Sequence, residues 1–194
     1  MPIKKYSKVK FTLRKELIII LSAIVVMVVA TILFNLPTKE EEWLEKWQTA
    51  GSTIVENKIF EDIDYEDLGT VINSNEVVYV LFASVDSTGA STLDLVNLCA
   101  EYTNVSKVYL VDSSFVAEYD LEDPNQKEAK EAKEALYKTA DGETVSLDYT
   151  TNFWVFQNGK LVTEINQDHI KAAGSWNGPL MQIFLEYYTN PTNA

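Results

Sequence analysis

One cysteine and one histidine are all that 194 residues supply, and this scarcity excludes more chemistry than any motif suggests. A lone thiol, Cys99, rules out a CxxC redox pair, an intramolecular disulfide and a four-cysteine zinc site. A lone imidazole, His169 in a polar segment, leaves little support for a serine mechanism, which needs a positioned base. Basic side chains are also scarce, at 16 against 29 acidic ones, for a net charge of −13. They are unevenly spread. Residues 1–16 hold Lys4, Lys5, Lys8, Lys10, Arg14 and Lys15 against Glu16 alone, so a head of +5 precedes a body of −18. Such a body argues against a nucleic-acid partner, whose capture needs clustered Lys and Arg facing phosphates. No cofactor or metal is expected.

Charge, glycine and proline are all missing from Leu17–Phe34, LIIILSAIVVMVVATILF. At 1.5 Å per residue such a run reaches about 27 Å, close to the hydrocarbon thickness of a bilayer. The expectation is a single transmembrane helix contacting the membrane lipid bilayer. No small-x-small site follows it and no cysteine precedes Cys99, so an uncleaved anchor is expected over a signal peptide. The basic head then places the N-terminus in the cytoplasm and the rest outside it. The expected organisation is a basic cytoplasmic head (1–16), a transmembrane helix (17–34), a stalk (35–54) and one extracytoplasmic domain (55–194). Trp43 and Trp47 share a face of a short helix capped by Thr38. They suit either a lipid interface or packing of the stalk against the domain.

Beyond the stalk the pattern alternates. Lys58–Ile63 predicts a strand and Asp64–Asn73 a short helix. Val77–Ala83, VVYVLFA, is apolar on both faces, as a central covered strand requires. Ser91–Thr103 predicts an amphipathic helix with Leu95, Leu98, Cys99 and Tyr102 at helical spacing. Lys107–Asp112 predicts another strand and Gln126–Lys138 another helix. Phe153–Gln157 and Lys160–Ile165 flank Asn158-Gly159, the signature of a type I′ hairpin. Pro179–Thr189 predicts a closing helix.

This order, with VVYVLFAS at its centre and NFWVFQNGKLV before its end, resembles the thioredoxin family. The resemblance spans roughly residues 55–190 and implies an α/β thioredoxin-like fold, β-α-β-α-β-α-β-β-α, with an enlarged segment between Phe115 and Thr150. The family's paired cysteines are replaced here by Ser84–Ser91, and Thr151 stands where the family has a cis-proline, so the peptide before it should be trans. Dithiol exchange needs a second sulfur. The resemblance therefore implies a degenerate, non-catalytic member, not an enzyme, that binds a protein or peptide. By the same resemblance the inherited groove would be formed by Val85, Asp86, Ser87, Thr88, Thr151 and Asn152. The alternative is an accessory subunit of a thiol-redox or protein/peptide export pathway.

Other features carry two readings each. Cys99 suits an inert core thiol, or a mixed disulfide with a partner. Ser87 and Ser91 suit helix caps better than nucleophiles. Asp120–Asn125 suits an acidic loop, or a weak calcium site that lacks the EF-hand glycine and glutamate. The residues 128–134 suit a solvated helix or a partner surface, and Trp176 suits a staple over the last helix or an exposed contact.

Overall fold

The computed structural model describes residues 15–34, 36–73 and 77–189. It divides into two units, residues 1–39 and 40–194. The first contains helix α1 (Lys15–Phe34), whose run has no Gly or Pro to break it. Its hydroxyls are satisfied within the helix, Ser22 Oγ donating to the Ile19 carbonyl and Thr31 Oγ1 to that of Met27, each at 2.8 Å.

Among the described residues no helix is long and apolar enough to cross a membrane. This corrects two expectations: the transmembrane helix at Leu17–Phe34 before the fold, and the single-pass location with a cytoplasmic N-terminus and an extracytoplasmic domain. The physical reason is length. Helix α1 has twenty residues and opens on Lys15 and Glu16, which leaves eighteen without charge, fewer than the roughly twenty apolar residues of a typical crossing helix. The basic side chains from Lys4 to Arg14 lie outside the described residues.

The second unit runs α2 (Lys39–Ala50), β1 (Phe60–Asp62), α3 (Gly69–Ile72), β2 (Val78–Ala83), α4 (Ser87–Thr103), β3 (Val108–Asp112), α5 (Pro124–Glu134), β4 (Lys138–Thr139), β5 (Thr151–Gln157), β6 (Lys160–Asn166), α6 (Gln167–Ala173) and α7 (Asn177–Thr189). The strands form one sheet in the order β1-β3-β2-β5-β6-β4. β1, β3 and β2 run parallel, β5 is antiparallel to both β2 and β6, and β4 runs parallel to β6. Asn158 and Gly159 both have positive φ, 53° and 77°, as the two-residue turn between β5 and β6 demands.

Every residue of β2 and β5 is buried, so the sheet is covered on both faces. Strand alternation sends Leu81, Ala83, Phe153 and Val155 to one side, with residues of α2, α4 and α7. It sends Val80, Phe82, Trp154 and Phe156 to the other, under Tyr65, Leu68, Tyr137, Val145 and Leu147. Phe82 stacks on Trp154 at 4.8 Å, and Tyr79 on Phe184 at 5.0 Å. Trp43 and Trp47 are 7% and 1% exposed. Trp43 stacks on Phe60 at 5.8 Å and donates its indole N–H to Asp62 at 2.9 Å, so both tryptophans belong to the core.

The enlarged segment is tied down by a buried cation. Lys130, 8% exposed, is paired with Asp148 at 2.6 Å and Glu134 at 3.1 Å, and Glu134 also accepts the Leu147 amide at 2.8 Å. The helical run at residues 128–134 is therefore only partly a solvated face.

α4 starts hard against the end of β2. A Cβ on Gly89 would stand 1.9 Å from the Ser84 carbonyl oxygen, so no larger residue fits unless backbone shifts. Gly89→Ala should destabilise the chain by about 3 kcal/mol, measured by urea unfolding. A loss below about 1 kcal/mol would mean that the first turn of α4 slides freely off Ser84.

Candidate functional site

The site expected from the resemblance lies where β2 hands over to α4. Asp86 takes an extended conformation and caps α4, its carboxylate accepting the Thr88 amide at 2.8 Å and the Gly89 amide at 2.9 Å. The Ser84 hydroxyl donates to the other carboxylate oxygen. Burial pushes the Asp86 carboxyl up, but the Ser84 hydroxyl and the Gly89 and Thr88 amides outweigh it, holding the group below the ordinary carboxylate value. The cap is thus Asp86 rather than Ser87 or Ser91. Ser91 Oγ turns back to donate to the Ser87 carbonyl at 2.7 Å.

The β5 side of the site differs more from expectation. Thr151 and Asn152 lie inside the strand, paired with Ala83 and Phe82, and are buried. Thr151 Oγ1 and Asn152 Oδ1 find no partner among the described residues, while Asn152 Nδ2 donates to the Tyr149 carbonyl at 3.4 Å. No cis peptide occurs among the described residues, so the bond before Thr151 is trans. The Thr150 carbonyl just before the strand accepts from the Ser84 amide at 3.0 Å and from the Ser113 hydroxyl. Of the six expected groove residues, Asp86, Ser87 and Thr88 are exposed at the helix start, Val85 is half-buried, and Thr151 and Asn152 are sealed behind them.

Sequence reasoning missed Ser84, Ser113 and Ser114, which stitch the strand ends together. Ser114 Oγ donates to Asp112 at 2.6 Å and lies 3.4 Å from the Val85 amide it accepts. The signal was present in the Asp112-Ser113-Ser114 triplet closing β3. His169 is engaged in a capping box, its Nδ1 accepting the Asn166 amide at 3.3 Å. Cys99 is 3% exposed and lies twelve residues into α4 from Ser87, about 18 Å along the helix axis. Burial pushes its thiol up. Among the described residues no cluster of three or more metal-ligating side chains occurs.

The Asp86 cap should show itself in acid. Asp86→Ala should cost about 1 kcal/mol near neutral pH. Because the folded carboxyl titrates below its unfolded value, its contribution is present above about pH 4 and is lost as pH falls through the folded value. Unfolding curves of wild type and Asp86→Ala should therefore converge in acid. A gap that stays constant down to about pH 2 would show that the carboxylate charge is not what stabilises the cap.

No protein-family model matches the chain, and no curated protein matches it. Among solved structures, a thioredoxin from Plasmodium falciparum is similar, with a TM-score of 0.40 and 15% identity over 66% of this chain and 98% of that one. A designed protein is similar with a TM-score of 0.34 and 18% identity over 68% of this chain and 98% of its own.

Proposed function

We propose that the domain is a non-redox module that binds a protein or peptide and is not an enzyme. The observation that carries this reading is the start of α4, which is capped by a hydrogen-bonded carboxylate, Asp86, and carries no thiol. The positive end of a helix lowers a thiol's pKa by stabilising its anion. Here a fixed carboxylate already takes up the Thr88 and Gly89 amides, and the lone thiol sits deep in the core far along the same helix. What remains accessible is a small polar rim, Ser87 and Thr88 beside half-buried Val85. Such a rim offers hydroxyls and an apolar contact to an extended segment, and no bond-breaking group.

The full chain should not reduce insulin disulfides under conditions where a thioredoxin does. Cys99→Ala should fold normally at a cost of about 1 kcal/mol for the small cavity. Turnover by wild type that vanishes in Cys99→Ala would overturn the non-redox reading. For the binding surface, peptides selected from a random displayed library on wild type should bind Thr88→Trp about tenfold more weakly, since that change fills the rim. Glu131→Arg on α5 should bind them as wild type does. The opposite pattern would place recognition on the enlarged segment.

A further inference from the structure

The outer face of α4 carries apolar side chains that the sheet does not use. The helix spends Ala90, Leu93, Val96, Cys99 and Ala100 on the core. Leu95, Leu98 and Tyr102 follow at i, i+3 and i+7, so they share a second stripe. Leu98 is 47% and Tyr102 74% exposed, and the neighbouring segment 53–58 adds Val55 at 83%. Between α4 and that segment lies a hollow of about 400 Å³, with Ile54 and Val55 on one wall and Leu95 and Leu98 on the other. Tyr102 stands one turn of α4 beyond Leu98 and continues the stripe. Scattered exposed apolar residues need no explanation, but a contiguous group around one hollow marks a docking surface.

The rim of the hollow is acidic. Glu56, Asp94 and Glu101 border it against one cation, Lys58. Lys58 is held by Glu56 at 3.1 Å. The Glu56 bond and charge raise its pKa and the Glu101 charge adds to this, so one ammonium serves two carboxylates. Glu101 otherwise takes only the neutral Asn97 amide, on one oxygen, at 3.1 Å. Asp94 is fixed by the Ser52 hydroxyl and by the Thr53 amide and hydroxyl, all neutral donors that leave its charge in place. The rim therefore carries more negative charge than it answers. Neither wall is a strand, so an added strand would find no ladder to join. A helix stripe at this spacing instead matches the ridges of another helix.

We propose that this groove receives an amphipathic helix of a protein partner, its apolar face set on Val55, Leu95, Leu98 and Tyr102 and its flanking lysines or arginines meeting Glu56, Asp94 and Glu101. Charge complementarity selects a basic helix, since an acidic flank would set like charges against the rim. The groove is a second surface, beyond the one formed by Ser87 and Thr88. Leu98 lies eleven residues along α4 from Ser87, about 16 Å on the helix axis.

The test is fluorescence anisotropy of a labelled peptide of lysine, alanine and leucine, about 18 residues long so that it can hold a helix. Its leucines stand at i, i+3, i+4 and i+7 with lysines beside them, and it is titrated with the full chain. Saturable binding is expected, about tenfold weaker in Leu98→Ser with Tyr102→Ser and about threefold weaker in Glu56→Gln with Glu101→Gln. Val55→Ser, at an exposed position outside the helix, should weaken it too, which keeps the apolar arm readable if the double change unsettles α4. Glu128→Gln with Glu131→Gln on α5 removes the same charge elsewhere and should bind as wild type does. The same peptide with glutamate for lysine should not saturate. Failure of the lysine peptide to saturate, equal binding of the glutamate peptide, or equal weakening by the α5 pair and the rim pair would each overturn the proposal. Self-association of wild type that Leu98→Ser abolishes would also overturn it, by assigning the groove to a second copy. Thr88→Trp should leave this binding unchanged, so failure here and failure at the start of α4 are told apart.

Discussion

Two adjacent strands without a solvent face set the requirements for everything around them. β2 and β5 bury all of their residues, and their backbone groups are consumed by ladders to β3, to each other and to β6. Both faces must then be roofed. On one side α4 and α7 do this with help from the two tryptophans of α2. On the other, α3 has only four residues, too few to cover Phe82, Trp154 and Phe156. The enlarged segment completes the roof with Tyr137, Val145 and Leu147. The Tyr137 hydroxyl donates to the Tyr65 carbonyl at 2.8 Å and accepts the Gly69 amide at 3.0 Å, which locks that roof to the turn before α3. The segment between α5 and β5 thus covers the face of the buried strand pair that α3 leaves open.

The same burial explains the chemistry at the start of α4. Packing α4 tightly on β2 requires Gly89 against the Ser84 carbonyl, and that contact brings the first-turn amides beside the strand end. Orphan amides at a helix start need an acceptor. Asp86 fills the need with a full charge, and the Ser84 hydroxyl completes its coordination. An anion held this way discourages another anion from forming nearby.

Much of this was legible in the residues. VVYVLFA announced a covered strand, and Asn158-Gly159 announced the hairpin, because each pattern has one dominant physical cause. The phase of α4 was not legible. Leu98 and Tyr102 point to solvent, 47% and 74% exposed, while Ala90, Leu93, Val96, Cys99 and Ala100 face the sheet. The small residues were overlooked because close packing on a sheet favours alanine and glycine, which carry little hydrophobic signal. α6 was missed because its start depends on a capping box between Asn166 and His169 rather than on periodicity. The site was half legible. Asp86 and Thr88 are accessible, but Thr151 and Asn152 were placed in a loop, and a strand extended by two residues at its start buries them.

How α2 is held follows from the same need to cover the sheet and its edge. β1 has three residues and would present an open edge, yet Asn57 closes it, its side chain accepting the Phe60 amide and donating to the Phe60 carbonyl, each at 2.9 Å. The link from α2 to this strand is fixed as well. Asp94 on α4 accepts the Ser52 hydroxyl at 2.5 Å, the Thr53 amide at 2.9 Å and the Thr53 hydroxyl at 2.7 Å. Trp43 is bonded to Asp62 a turn before Trp47, so α2 is anchored by its indole in the middle and by the Asp94 loop at its end. Lys46 and Trp47 lie between these anchors and have little freedom to retreat or to collapse inward. The apparatus that protects the sheet edge therefore also keeps Trp43 and Trp47 seated in the core over that face of the sheet.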